Sequence, residues 1–304
     1  MRLRIIVSVL LFLAILALGG AYYLHHASDF RLITTLAVMP VVLLVACKVS
    51  LAVLQAVPLQ LLTEPYGVRL TWLQAFSLSR ATMFTSLFLP FPGGASVKAV
   101  YLKKFHDFKY GSFIASMSIS GIIKIMVISM FAMVITIPYL PGSAMLLLVA
   151  GAFFGASAGF LSLAHRIPDR WLSFWGRLQK LAAEWRTIRH NRLVLLKVAL
   201  LNAFGLLISI LAIYEAFRAF GLGISLVAAA AISCFLNLVS TMKLIPGDLG
   251  IREFVFAGVS GLFGVGVNEG LHAAALHRIV ETLLTLILAP GAMVPLSMKA
   301  KEAE

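Results

Sequence analysis

Two short motifs in this chain carry residue types suited to binding an anion. Pro92-Gly93-Gly94 is followed by Lys98, and Pro246-Gly247 by Gly250, Ile251, Arg252 and Glu253. Proline is tolerated in a first helical turn and glycine permits a sharp entry, so each Pro-Gly pair reads as a helix start. A helix start presents unpaired N–H groups and partial positive charge, which together favour an anion. Lys98 and Arg252 would each add a full charge beside their own helix terminus. Arginine suits bidentate phosphate binding, whereas lysine acts as a point charge. The expected chemistry is recognition of a phosphate-bearing or otherwise anionic group at two related cradles. The competing reading is a pair of interfacial turns with snorkelling cations.

Further ionisable residues lie inside apolar runs, where charge is costly and usually faces a bundle interior. They are Lys48, Arg80, Lys124, Lys197, Arg278 and Glu281. Lys124 and Arg278 each fall 32 residues beyond the proline of their motif, so they extend the two cradles into the next apolar segment. Glu253 and Glu281 are the natural counter-ions in the second half, which leaves the first half with surplus positive charge. Lys48 and Lys197 are expected to snorkel, and His277 to make a packing or polar contact. The expected substrate-binding set is Pro92, Gly93, Gly94, Lys98, Lys124, Pro246, Gly247, Gly250, Arg252, Glu253, Arg278 and Glu281.

Catalytic signatures are missing. The chain has no His-Glu-x-x-His, no Gly-x-Ser-x-Gly and no phosphate-binding loop. Cys47 and Cys234 both lie in apolar stretches and offer neither a disulfide framework nor zinc spacing. No enzyme activity, metal or cofactor is expected.

The elements that must position these residues follow from composition. Hydrophobic residues make up 61% of the 304 residues, charged residues 12%, and mean hydropathy is +0.99. Soluble domains are about 45–50% apolar and about 25% charged, so a soluble enzyme with one buried core is excluded. A net charge of +13 points to anionic lipid headgroups rather than to nucleic acid. Six runs are long enough to cross a bilayer: Ile5–Leu24, Leu32–Val57, Ser112–Ile137, Ala144–Ala164, Leu193–Phe217 and Leu271–Ala289. The first of these is preferred as a span over a cleaved signal peptide. Leu73–Phe91 and Leu226–Ile245 are apolar but run into the Pro-Gly motifs, and read as re-entrant hairpins. Basic residues cluster at the first residues, at 98–109, at 166–192 and at the end of the chain. That distribution places both termini in the cytoplasm.

The two halves repeat. Ser79 falls on Ser233, Ser86 on Ser240 and Lys124 on Arg278, all 154 residues apart. Three crossings per half would turn the second half upside down, as in transporters with inverted repeats. The expected fold is an all-α polytopic membrane protein with about six transmembrane helices and two re-entrant helical hairpins. It is a single membrane domain over 1–304, with repeat 1 at about 1–140 and repeat 2 at about 141–292. A cytoplasmic tail covers 293–304. Within loop 165–192, Trp171, Phe174, Trp175, Leu178, Leu181, Ala182 and Trp185 share one helical face, and the basic residues lie elsewhere. This is the pattern of an interfacial helix anchored to anionic lipid.

Pro92–Lys104, Ala115–Lys124, the stretch Pro246-Gly247-Asp248-Leu249-Gly250-Ile251-Arg252-Glu253, and His277-Arg278 resemble the lysylphosphatidylglycerol synthase transmembrane-region family of flippase-like membrane proteins. The likeness covers nearly the whole chain. Lys124 departs from it, standing where the family usually shows an arginine flanked by acids. The soluble synthase domain of some members is absent, so lipid aminoacylation is not implied. The resemblance implies movement of lipids between leaflets of a prokaryotic cytoplasmic membrane, with aminoacylated phospholipids, hopanoid-related lipids or polyprenyl-linked glycans as cargo. The expectation is therefore a lipid translocase whose partners are membrane lipids with an anionic headgroup or lipid phosphate. The alternative is a non-catalytic accessory subunit that holds a lipid-modifying enzyme of cell-envelope synthesis.

Overall fold

The computed structural model describes residues 36–88, 93–139, 144–163, 184–185, 187–188, 191–242, 248 and 250–302. The expected first span, Pro92, Pro246, Gly247 and most of loop 165–192 lie outside these residues. Among the described residues every regular element is helical. In order these are α1 (Val38–Leu54), α2 (Val57–Thr63), a 3-10 turn (Glu64–Tyr66), α3 (Trp72–Phe88) and α4 (Gly93–His106). They continue with α5 (Tyr110–Tyr139), α6 (Ala144–Leu163), α7 (Arg192–Arg218), α8 (Leu226–Met242), α9 (Ile251–Leu262) and α10 (Val267–Glu302).

Among the described residues four stretches are long and apolar enough to cross a membrane: Val38–Tyr66, Tyr110–Tyr139, Arg192–Arg218 and Val267–Met293. Leu147–Ser162 and Leu226–Thr241 are shorter apolar helices. The first long stretch breaks at Gln55–Ala56, where Pro58 lacks the N–H that would continue the helical ladder. On α7, Leu196, Leu200, Phe204, Leu207 and Leu211 lie at helical spacing and are all exposed. In water such a stripe would be a liability, but against lipid it is the ordinary outer face of a spanning helix.

The 154-residue offset governs the backbone as well as the side chains. α3 and α8 are each 17 residues long and start 154 apart. Thr71 caps α3 by accepting the Gln74 N–H (3.3 Å), and Ser225 caps α8 by accepting the Ala228 N–H (3.1 Å). Upstream of each, a glycine in left-handed conformation ends the preceding turn: Gly67 at φ 79° and Gly221 at φ 71°. The accompanying bonds also match, Val68 N to Thr63 O and Leu222 N to Phe217 O. Ser79 donates to the Gln55 carbonyl, and Ser233 donates to Ser209, again 154 residues on.

α3 packs on α4, and α8 on α9, so each Pro-Gly motif joins two contacting helices. α10 lies against α3, α9, α7 and α1; it joins the two halves together with α7, which packs on α1 and α5, and α8, which packs on α5. Two glycines set the spacing. A Cβ on Gly94 would sit 2.7 Å from the Thr82 carbonyl oxygen, and one on Gly270 would sit 2.7 Å from that of Phe256. Gly94 therefore serves the close approach of α4 to α3. Because Gly270→Ala meets α9 backbone on two sides, it is expected to cost about 1–3 kcal/mol, read as a lower thermal midpoint in detergent. An unchanged midpoint would show that α9 shifts freely over α10.

Candidate functional site

Charged side chains gather where α1, α9 and α10 meet. Glu281 on α10 is the hub: its Oε2 accepts Lys48 Nζ from α1 at 2.6 Å and pairs with Arg252 NH1 from α9 at 3.0 Å. Lys48 belongs to the first half of the chain and Glu281 to the second, 233 residues apart. The Lys48 side chain is 8% exposed. The expectation that Lys48 snorkels is overturned, because the half-buried Glu281 carboxylate holds its ammonium group inside the bundle. His277 packs its ring against Phe256 and lies 3.5 Å from Lys48 Nζ through Nδ1. It is the polar and packing contact expected for it.

A second group of contacts fixes the start of α9. Arg278 on α10 pairs through Nε with Glu253 Oε1 at 2.7 Å and donates through NH2 to the Asp248 carbonyl at 3.0 Å. Arg252 also reaches Asp248 Oδ2 at 3.5 Å. Asp248 and Gly250 both have positive φ, 53° and 82°, a tight turn that aspartate and glycine tolerate best. Glu253 Oε2 accepts the Gly250 N–H at 2.9 Å. The protein's own carboxylate thus takes the Gly250 N–H ahead of α9. Arg252, Glu253, Arg278 and Glu281 do come together, with the acids acting as counter-ions as expected. Asp248, Lys48 and His277 join them.

The chain matches the family described as Lysylphosphatidylglycerol synthase TM region over residues 3–289. It belongs to that family. No curated protein matches the chain. As a member of the Lysylphosphatidylglycerol synthase TM region family with several long apolar helices, the protein is a multi-pass membrane protein linked to lipid modification or translocation.

The first half contributes differently. Gly93 and Gly94 open α4, Lys98 is half-buried on α4, and Lys124 is half-buried on α5. Arg80 on α3 is 4% exposed, stands over the Phe76 ring at 5.7 Å and donates to the Gln55 side-chain oxygen at 2.7 Å. It also lies within electrostatic reach of Glu281. Sequence reading noted Arg80 as a cation within an apolar run but gave it no role. Lone placement among apolar residues was the available signal.

The aromatic face expected of loop 165–192 is described only at its end. Trp185 stacks edge-on against Phe160 at 4.7 Å, and Ile188 is fully buried beside Leu62, Ile119 and Val198. Trp185 is half-buried against the same cluster. Outside the spans, Lys103 pairs with Asp107 at the end of α4 and holds the Asp107 carboxyl below its ordinary range.

Proposed function

We propose that the protein is a lipid translocase that moves a lipid with an anionic or phosphate-bearing headgroup between leaflets, without catalysis or a cofactor. The observation that supports this reading most directly is the buried network linking Lys48 to Glu281 and Arg252 across the two halves. Charge inside an apolar helical bundle is expensive and needs a compensating role. A carrier supplies one: an entering headgroup anion competes with Glu281 for Arg252 and Lys48, and releasing those pairs loosens the contact between halves. Cations paired with Glu281 can thus hold the empty carrier closed and open it for an anion. In this proposal the two Pro-Gly hairpins are re-entrant, the halves are inverted relative to each other, and Lys98 and Lys124 line the first-half route. The membrane is the inner membrane of a prokaryote, with both termini cytoplasmic.

The test is reconstitution in liposomes carrying fluorescent phosphatidylglycerol or its aminoacylated form, with leaflet exchange read by external quenching. Wild type is expected to exchange lipid faster than protein-free vesicles. An Arg252→Ala, Arg278→Ala double variant removes charge-assisted contacts worth about 1.5–3 kcal/mol each, so its rate falls by about tenfold or more. Equal exchange by the two proteins removes these residues from the path. No exchange by wild type, with stable co-purification of a lipid-modifying enzyme, favours an accessory subunit instead.

A further inference from the structure

We infer that Arg80, with Gln55 and Ser77, forms a binding site for a single monoanionic oxyanion, the charge type of a phosphodiester. The inference deepens the translocase reading and rests on it only for the source of the anion, a lipid headgroup or free phosphate.

Arg80 is an arginine with a full charge and no carboxylate bonded to it among the described residues. Its NH2 donates to the neutral Gln55 amide oxygen at 2.7 Å, and its Nε is buried without a hydrogen-bond partner. Glu281 acts on it at longer range but is held at 2.6 and 3.0 Å by Lys48 and Arg252. Ser77 is 0% exposed and its hydroxyl is also buried without a partner. Residues three apart are neighbours on a helix surface, so Ser77 and Arg80 place two unsatisfied buried polar groups side by side on α3. A buried polar group without a partner is costly, and a buried charge more so. An oxyanion accepting from Nε–H and the serine hydroxyl would satisfy both at once.

The charge balance of the linked ionic groups favours a single negative charge. Among the described residues that these ion pairs and the reach of Glu281 connect, Lys48, Arg80, Arg252 and Arg278 face Asp248, Glu253 and Glu281, leaving one positive charge over. A phosphodiester carries one negative charge, whereas a phosphomonoester carries about 1.5 to 2 at neutral pH. The repeat shows that the site is not a general requirement of the fold. At the positions 154 residues on, Gln55, Ser77 and Arg80 become Ser209, Ala231 and Cys234. There the Ser233 hydroxyl bonds to Ser209 at 2.9 Å, and none of the three equivalent positions carries a cation. Were Arg80 only a strut between α1 and α3, that neutral hydroxyl pair would serve as well.

The experiment uses the full chain in detergent, as wild type, Arg80→Gln and Gln55→Glu. The probes are phosphatidylglycerol, uncharged diacylglycerol and inorganic phosphate. Bound lipid is counted by native mass spectrometry, and thermal midpoints are followed as each probe is added. Wild type is expected to retain phosphatidylglycerol over diacylglycerol and to gain stability from it. Arg80→Gln should lose that preference by about tenfold, the scale of one charge-assisted contact. Gln55→Glu gives Arg80 an internal carboxylate, so it should melt at or above the wild-type midpoint without lipid and still lose phosphatidylglycerol. Inorganic phosphate, partly a dianion at neutral pH, protecting wild type as well as the lipid does would make free anion the ligand and overturn the restriction to a single charge. Equal retention and equal protection in all three proteins overturn the proposal. Binding is read without leaflet exchange, so loss of binding in a protein that exchanges no lipid would uphold the site and sink the translocase. The converse result would do the reverse.

Discussion

Replacing Glu281 by Gln is expected to destabilise the protein by about 3–5 kcal/mol, the usual loss when one partner of a buried ion pair is removed. The carboxylate receives Lys48 at 2.6 Å and Arg252 at 3.0 Å, and its side chain is only 19% exposed. A glutamine keeps the shape and can still accept a hydrogen bond, so the change isolates charge. Two buried cations would then face each other with Asp248 as the nearest remaining acid for Arg252. Lys48→Met should behave differently. It removes a cation and fills its volume, leaving Glu281 paired with Arg252, so a cost below about 1.5 kcal/mol is expected. The asymmetry is the signature of a hub carboxylate with two cations, and thermal unfolding of both variants in detergent measures it. Equal losses, or a neutral Glu281→Gln, would place the stabilisation elsewhere.

That asymmetry also shows where reading the sequence reached its limit. Membrane helices were legible because a span needs a long uninterrupted apolar run, and α5 and α7 differ from their expected bounds by no more than two residues. The 154-residue offset was legible because Ser79 and Ser233, and Lys124 and Arg278, share it, and the caps at Thr71 and Ser225 fall at the same offset. Glu253 and Glu281 were recognisable as counter-ions since they are the acids nearest in sequence to Arg252 and Arg278. Lys48 was not, because its partner lies 233 residues away on a helix from the other half. An isolated lysine in an apolar run looks the same whether it snorkels or is buried.

The Pro-Gly starts taught a related lesson. The helix start was expected at Pro246-Gly247; α9 begins at Ile251, and a local acid, Glu253, three residues past Gly250, reaches back to accept the Gly250 N–H. That spacing could have signalled a self-capped start. Arg80 was legible as a cation in the wrong place. Its chemistry depends on Gln55 at the break between α1 and α2, and a lone amide carries no pattern that sequence can display.

The second large effect is expected at Arg278, where Lys and Ala substitutions should separate charge from geometry. Its guanidinium spans Glu253 through Nε at 2.7 Å and NH2 at 3.3 Å while NH2 also reaches the Asp248 carbonyl at 3.0 Å. A planar fork can make these contacts together, whereas an ammonium is a single point of charge. Arg278→Lys should therefore keep the pair with Glu253 and give up the carbonyl. The turn through Asp248 and Gly250, both at positive φ, would lose its outer tie, and amides from Gly250 to Phe254 should exchange hydrogen about tenfold faster, a local change of about 1.4 kcal/mol. The global midpoint should move little. Arg278→Ala strips Glu253 of its cation as well; that carboxylate, 28% exposed and still holding the Gly250 N–H, makes the expected cost about 2 kcal/mol. Lipid exchange should fall in both variants, and in Arg278→Lys it should fall further than stability does. Faster amide exchange without loss of transport would make Arg278 a tie for the tip alone. Wild-type behaviour of Arg278→Lys in both measurements would mean that its charge suffices and that the fork geometry has no role.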